Sequence, residues 1–215
     1  MQKLPIFLLL ALFLPTSILL GQAQTLDEKR EQLTNGILDD NFIYACKLIG
    51  WKLEVNSSWP FMTKSEKERV TERGKQVIEE TQQITIDDSG LKELLNLRKD
   101  MFNSFLSTIE YYDSTALGNW HKHNAELNNL IINTFKDKNI EFTHLEGKKT
   151  IDGLTLNTLD VVLYKPGTKD VLMYLTMYTR LINNYDFGMT ITYNNDSDKA
   201  QLLKMVNQST FSIRR

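Results

Sequence analysis

The sequence predicts an α+β fold: a mainly antiparallel sheet flanked by helices. Three observations carry that prediction. Residues 171–193 contain two long runs in which apolar and polar side chains alternate, the period of a half-buried strand. Trp120, Leu127, Leu130, Ile131, Thr134 and Phe135 recur at helical spacing, the clearest helix in the chain. Only short turns separate the late strands, which favours antiparallel neighbours over the long crossovers that parallel strands need.

The elements follow in chain order. The first residues, MQKLPIFLLLALFLPTSILLGQAQT, place Lys3 before an apolar run from Leu4 to Leu20 and small residues Gly21 and Ala23 at its exit. They read as a secretory signal peptide cleaved after Ala23, because Pro5, Pro15, Thr16 and Ser17 interrupt the run and disfavour a retained anchor. Residues 1–23 are thus the signal and 24–215 a single α+β domain. Thr25 to Asn35 suits a short, loosely docked helix with little to bury. Asn41 to Val55 predicts a first strand or hairpin with Gly50 as a bend. Thr63 and Glu66 match a capping box, so a helix runs from there to about Gln82, its stripe of Val70, Val77 and Ile78 inward and its charged remainder a solvated face. Asp87 to Gly90 is a turn, followed by strands over Leu91–Lys99 and Phe102–Tyr112.

Asn119 is the expected cap of the helix that runs to about Lys138. Ile140 to Leu145 reads as a short strand, Gly147 to Gly153 as a loop, and Leu156 to Tyr164 as a strand ending at the Lys165-Pro166-Gly167 turn. The two alternating runs come next, broken at Ile182-Asn183-Asn184. After a loop over Asn194–Ser197, a helix over Lys199–Gln208 faces Leu202, Leu203, Met205 and Val206 inward.

Composition narrows the function classes. Lys and Arg number 25 against 27 Asp and Glu, a formal charge of −2. Loss of Lys3 with the signal, and of no acid, takes it to −3, the wrong sign for a stripe that meets phosphates. A secretory route implies an oxidising compartment, yet Cys46 is the single cysteine and can form no internal disulfide. Packing must therefore hold the fold. Cys46 sits in the apolar stretch NFIYACKLIGW and reads as a small buried hydrophobe, with an intermolecular disulfide as the alternative.

Residues for chemistry are sparse. His121 and His123, with His144 as a third, are the candidates for a metal, but positions i and i+2 on a helix point about 200° apart, so the pair diverges and no metal site is expected. Glu110, Asp113 and Asp186 read as exposed strand-end acids that local spacing does not pair for acid/base work. No G-x-S-x-G, phosphate-binding loop, dinucleotide fingerprint or C-x-x-C occurs, and no cofactor or catalytic residue is expected. The remaining candidate is a strip on the sheet. Tyr174, Thr176, Tyr178 and Arg180 share the face opposite Met173, Leu175 and Met177. With helices on one side only they form a partner-binding strip; with helices on both sides they are core, the reading favoured by the supply of three helices for two faces.

The stretches GWKLEVNSSWPFMTKSE, KDMFNSFLSTIEYYD with the Trp120 helix behind it, and YTRLINNYDFGMTITYNN closing on NQSTF resemble a group of small secreted proteins of bacteroidete-type bacteria. More distantly, a strand and Trp before a helix, with a final hairpin and a C-terminal helix ending in Ser-x-Phe, are similar to the PsbP-like α/β/α sandwich. That resemblance implies the fold and, by analogy, an extrinsic role without catalysis; it transfers no functional residue. The expectation is therefore a secreted or periplasmic binding or assembly module with a protein or envelope partner, no nucleic acid, and no membrane span once the signal is gone. The alternative is a cryptic hydrolase or small-ligand carrier with a pocket between the sheet and the Trp120 helix.

Overall fold

The structure, a computed structural model, describes residues 36–88 and 90–212. The signal peptide and the helix expected over Thr25–Asn35 lie outside the described residues. In chain order the elements are β1 (Ile37–Leu38), β2 (Ile43–Cys46), β3 (Trp51–Glu54), α1 (Lys64–Gln82), β4 (Lys92–Arg98), β5 (Ser104–Tyr111), α2 (Ser114–Leu117), α3 (Trp120–Asp137), β6 (Phe142–Ile151), β7 (Leu154–Tyr164), β8 (Val171–Ile182), β9 (Tyr185–Tyr193), α4 (Asp196–Asn207) and β10 (Thr210–Phe211). They form an α+β fold with two antiparallel sheets: six strands in the order β4-β5-β9-β8-β7-β6, and four in the order β1-β2-β3-β10.

Alternation on β7 and β8 sends two different rows to two different layers. Met173, Leu175 and Met177 join Leu159, Val161 and Leu163 against Ile131, Ile132 and Phe135 of α3. Burying each of these large side chains contributes roughly 1.5–3 kcal/mol before ordering entropy is subtracted. Helix α1 lies beside α3, with Ile78 packed near Leu130 and Gln82 Nε2 donating to Asp137 Oδ2 at 2.8 Å. Its capping box is complete: Thr63 Oγ1 accepts from the Glu66 N–H, and the Glu66 carboxylate accepts from the Thr63 N–H.

The opposite face of the large sheet carries the main core. There the small sheet and α4 cover it, and Trp51 lies 5.0 Å from the Phe187 ring and 5.4 Å from the Tyr44 ring, with Cys46, Leu202 and Val206 in the same cluster. Two polar ties fix this layer. Trp59 Nε1 donates to Gln201 Oε1 at 2.9 Å, and Lys99 Nζ donates to Asp198 Oδ1 at 2.6 Å. Burial alone would push the Asp198 carboxyl up; the bonds from Lys99 and Asn195 outweigh it and hold it below the usual carboxylate range. At Gly50 the backbone has φ +63°, and a Cβ would stand 2.6 Å from the Ser212 carbonyl oxygen, so only glycine lets the C-terminal strand close onto β3.

One expectation fails here. The segment from Gly147 to Gly153 is not a loop: β6 runs unbroken through Ile151, and the turn shrinks to Asp152-Gly153, both at positive φ. Asp-Gly is the pair that a tight hairpin turn favours. Strand β6 hid because Thr143 through Thr150 are exposed, which leaves no buried row to alternate with a polar one.

Candidate functional site

The end of the large sheet where β5, β8 and β9 meet carries the most concentrated chemistry. Chain leaving β5 crosses this end as α2, turns at Gly118 (φ +76°), and starts α3 under the Asn119 cap, whose Oδ1 accepts from the Lys122 N–H at 3.2 Å. Asp113 caps α2 in the same way. Tyr112 pins the crossing by donating from its hydroxyl to the Gly118 carbonyl at 3.2 Å, while its own N–H donates to Asn184 O at 2.8 Å. The result is an open cleft of about 360 Å³ lined by Tyr112, Ser114, Asn119, Trp120, His121 and Arg180.

Arg180 is the charged wall of this cleft. It is half-buried, and its guanidinium has no ion-pair partner among the described residues. Trp120, 5 % exposed, lines the cleft and also stands against Asp186. His121 stands edge-on to the Trp120 ring at 5.1 Å, and His123 packs on Tyr112 at 5.4 Å. Burial pulls the His123 imidazole below its ordinary value. The two histidines thus go to different aromatic neighbours, and among the described residues no three His, Cys, Asp or Glu side chains gather as metal ligands.

Asp186 corrects the sequence reading. Expected as an exposed strand-end acid, it is 3 % exposed, because α3 returns over the strand end and seats Trp120 on it. Burial, opposed in part by the Trp120 indole and reinforced by Glu110 across the ladder, leaves its carboxyl raised to about 7. The indole Nε1 and Asp186 Oδ1 nevertheless complete no well-aligned hydrogen bond. Around them the α3-facing side of the sheet is polar. Gly188 is flanked across the ladder by Thr108 and Thr179, with Asp186 and Thr190 two positions away along β9. Thr179 and Asn157 are satisfied through Asn124 of α3, at 3.1 Å each, whereas the buried hydroxyls of Thr108 and Thr190 have no hydrogen-bond partner among the described residues. Sequence reasoning missed this seam, since Asn124 and Asn128 sit within a helix face defined by its apolar residues.

The four residues of the sheet strip do not share one open surface. Tyr178, 5 % exposed, and Thr176, 8 %, lie beneath the second layer, and Thr176 donates to Asp160 Oδ1 at 2.6 Å. Tyr174 is half-buried, stacked on Tyr193 at 5.1 Å with Lys199 Nζ 6.0 Å from its centroid. Arg180 alone reaches the cleft.

No protein-family model matches the chain, and no curated protein matches it. A solved structure is similar. The solution structure of cyanobacterial PsbP (CyanoP) from Synechocystis sp. PCC 6803 superposes with a TM-score of 0.48 at 10% sequence identity, covering 79% of this chain and 91% of that one. No helix among the described residues is long and apolar enough to cross a membrane.

Proposed function

We propose that this protein is a secreted or periplasmic binding or assembly module that acts without catalysis, and that its binding site is the cleft at the start of α3. The signal-like residues 1–23 support the compartment. The observation that carries the site is Arg180, a half-buried cation with no ion-pair partner among the described residues, set in a cleft with the aromatic walls Tyr112 and Trp120. Such a guanidinium donates in fork geometry to two oxygens of a carboxylate or phosphate, and the rings take an apolar or aromatic body beside it. Tyr174, six positions before Arg180 along β8 with Lys199 near its ring, is a separate half-buried contact for a larger partner. Thermal stabilisation by a panel of small aromatic and aliphatic carboxylates and phosphates tests the reading: binders raise the melting temperature of the wild type and not of Arg180→Ala. A panel that stabilises both equally, or neither, refutes the site.

A second reading, a hydrolase or small-ligand carrier using the same cleft, is favoured by one observation: Asp186, with its carboxyl pushed up to about 7, stands directly behind Trp120. Turnover in a hydrolase screen that Asp186→Asn abolishes while the fold persists would select it over the non-catalytic reading.

A further inference from the structure

Among the described residues strand β6 is an edge of the six-stranded sheet, with β7 as its sole neighbour in the strand order. It pairs with β7 residue for residue from Phe142 to Ile151 without a bulge, it contains no proline, and Thr143 through Thr150 are exposed, Leu145 at 69%. Its outer row of backbone N–H and C=O groups is therefore a straight template for another strand. Charge and register choose the partner. Glu146 and Lys148 flank Gly147 on the face that carries α3, where Glu146 Oε1 accepts from Asn128 Nδ2 at 3.2 Å. Leu145 and Lys149 flank the same glycine on the other face.

We infer that β6 is the docking edge for a second copy of this chain: two β6 strands pair antiparallel about a two-fold axis through Gly147, joining the two large sheets into one. In this register each Lys148 stands opposite Glu146 of the other copy, giving two opposite-charge cross-strand pairs. Each Lys149 lays its aliphatic stem beside the partner copy's exposed leucine at 145. Thr143 through Ile151 all find a partner. Only registers shifted by whole residue pairs keep side chains on matching faces. Centring on Glu146 or on Lys148 sets identical charges directly opposite, which destabilises a pair. Centring on Leu145 shortens the match to Phe142 through Lys148. The Gly147 register is the one that satisfies length and charge together. Lysines on an edge often serve to repel other strands, but here Lys148 is matched by an acid at the symmetry-related position.

Sedimentation velocity of the purified protein from micromolar to near-millimolar concentration tests the inference. Wild type is expected to show a monomer–dimer equilibrium, Glu146→Lys and Lys148→Glu each to weaken it about tenfold or more, and the double exchange to restore it, because the pairs reform with signs swapped. A monomer at every concentration overturns the inference, whether the edge is bare or taken by another protein. A dimer indifferent to all three variants overturns the register. Should a charge variant fail to fold, the double variant His144→Cys/Thr150→Cys decides independently: those positions face each other across the axis, so oxidation must yield a disulfide-linked dimer, and His144→Cys alone must not.

Discussion

Replacing Asp186 by asparagine isolates the energetic consequence of a carboxyl buried beneath Trp120. The folded chain holds the Asp186 proton up to about pH 7, whereas the ordinary value is 3.8. Between those values the native state binds more protons than the unfolded chain, so stability falls as pH rises; above about 7 both states are ionised and the penalty is constant. Each pH unit of that window corresponds to about 1.4 kcal/mol, so between about pH 5 and about pH 8 the wild type loses about 3 kcal/mol through this group. Asp186→Asn has no proton to lose. Urea unfolding at both pH values, followed by circular dichroism, should show the variant gaining about 3 kcal/mol relative to wild type on going to the higher pH. Other groups, such as Asp198 with its lowered value, titrate alike in both proteins and cancel in the difference. Parallel pH profiles for the two proteins would refute a buried, ionisable Asp186.

Three further outcomes follow from the packing. Phe187, fully buried between Trp51 and Phe211, should cost about 3–5 kcal/mol when truncated to alanine, measured as a lower urea midpoint at unchanged slope. The Thr63→Ala variant loses one arm of the α1 capping box and should be about 1 kcal/mol less stable in the same assay. Cys46 is 1% exposed and burial pushes its thiol up, with backbone hydrogen bonds from Ile49 and Leu48 opposing only part of that rise. It should resist a thiol-specific chromogenic reagent in the native protein and react at once in denaturant; rapid native reaction would contradict its placement in the core.

What could be read from the residues follows from how local each signal is. The Thr63–Glu66 box, the Asn119 cap and the alternating rows of β8 and β9 depend on neighbours in the chain, and the structure shows each of them where the spacing puts it. Strand β6 depends on nothing local except its Asp152-Gly153 turn, because an edge strand exposed on both faces has no apolar row to display. The one-turn α2 and the short β1 and β10 are too brief for any period to register. The site was the least legible part. Asp186 looks like a strand-end acid until α3, far away in sequence, lays Trp120 over it. Tyr178 and Arg180 share a row, yet the second layer covers the tyrosine, while Arg180 at the sheet end reaches the cleft. Which member of an alternating row stays open is decided by the elements packed over it, and the row itself carries no record of that.

Binding at the cleft lined by Arg180 and Trp120 is read out by two-dimensional amide and indole NMR during titration with the carboxylate or phosphate that stabilises the protein best. Shift changes should be confined to Ser114–His121, the Trp120 indole and Arg180–Leu181, and should vanish in Arg180→Ala with the rest of the spectrum unchanged. Shift changes that map instead to another surface, or that persist in the variant, would contradict binding there.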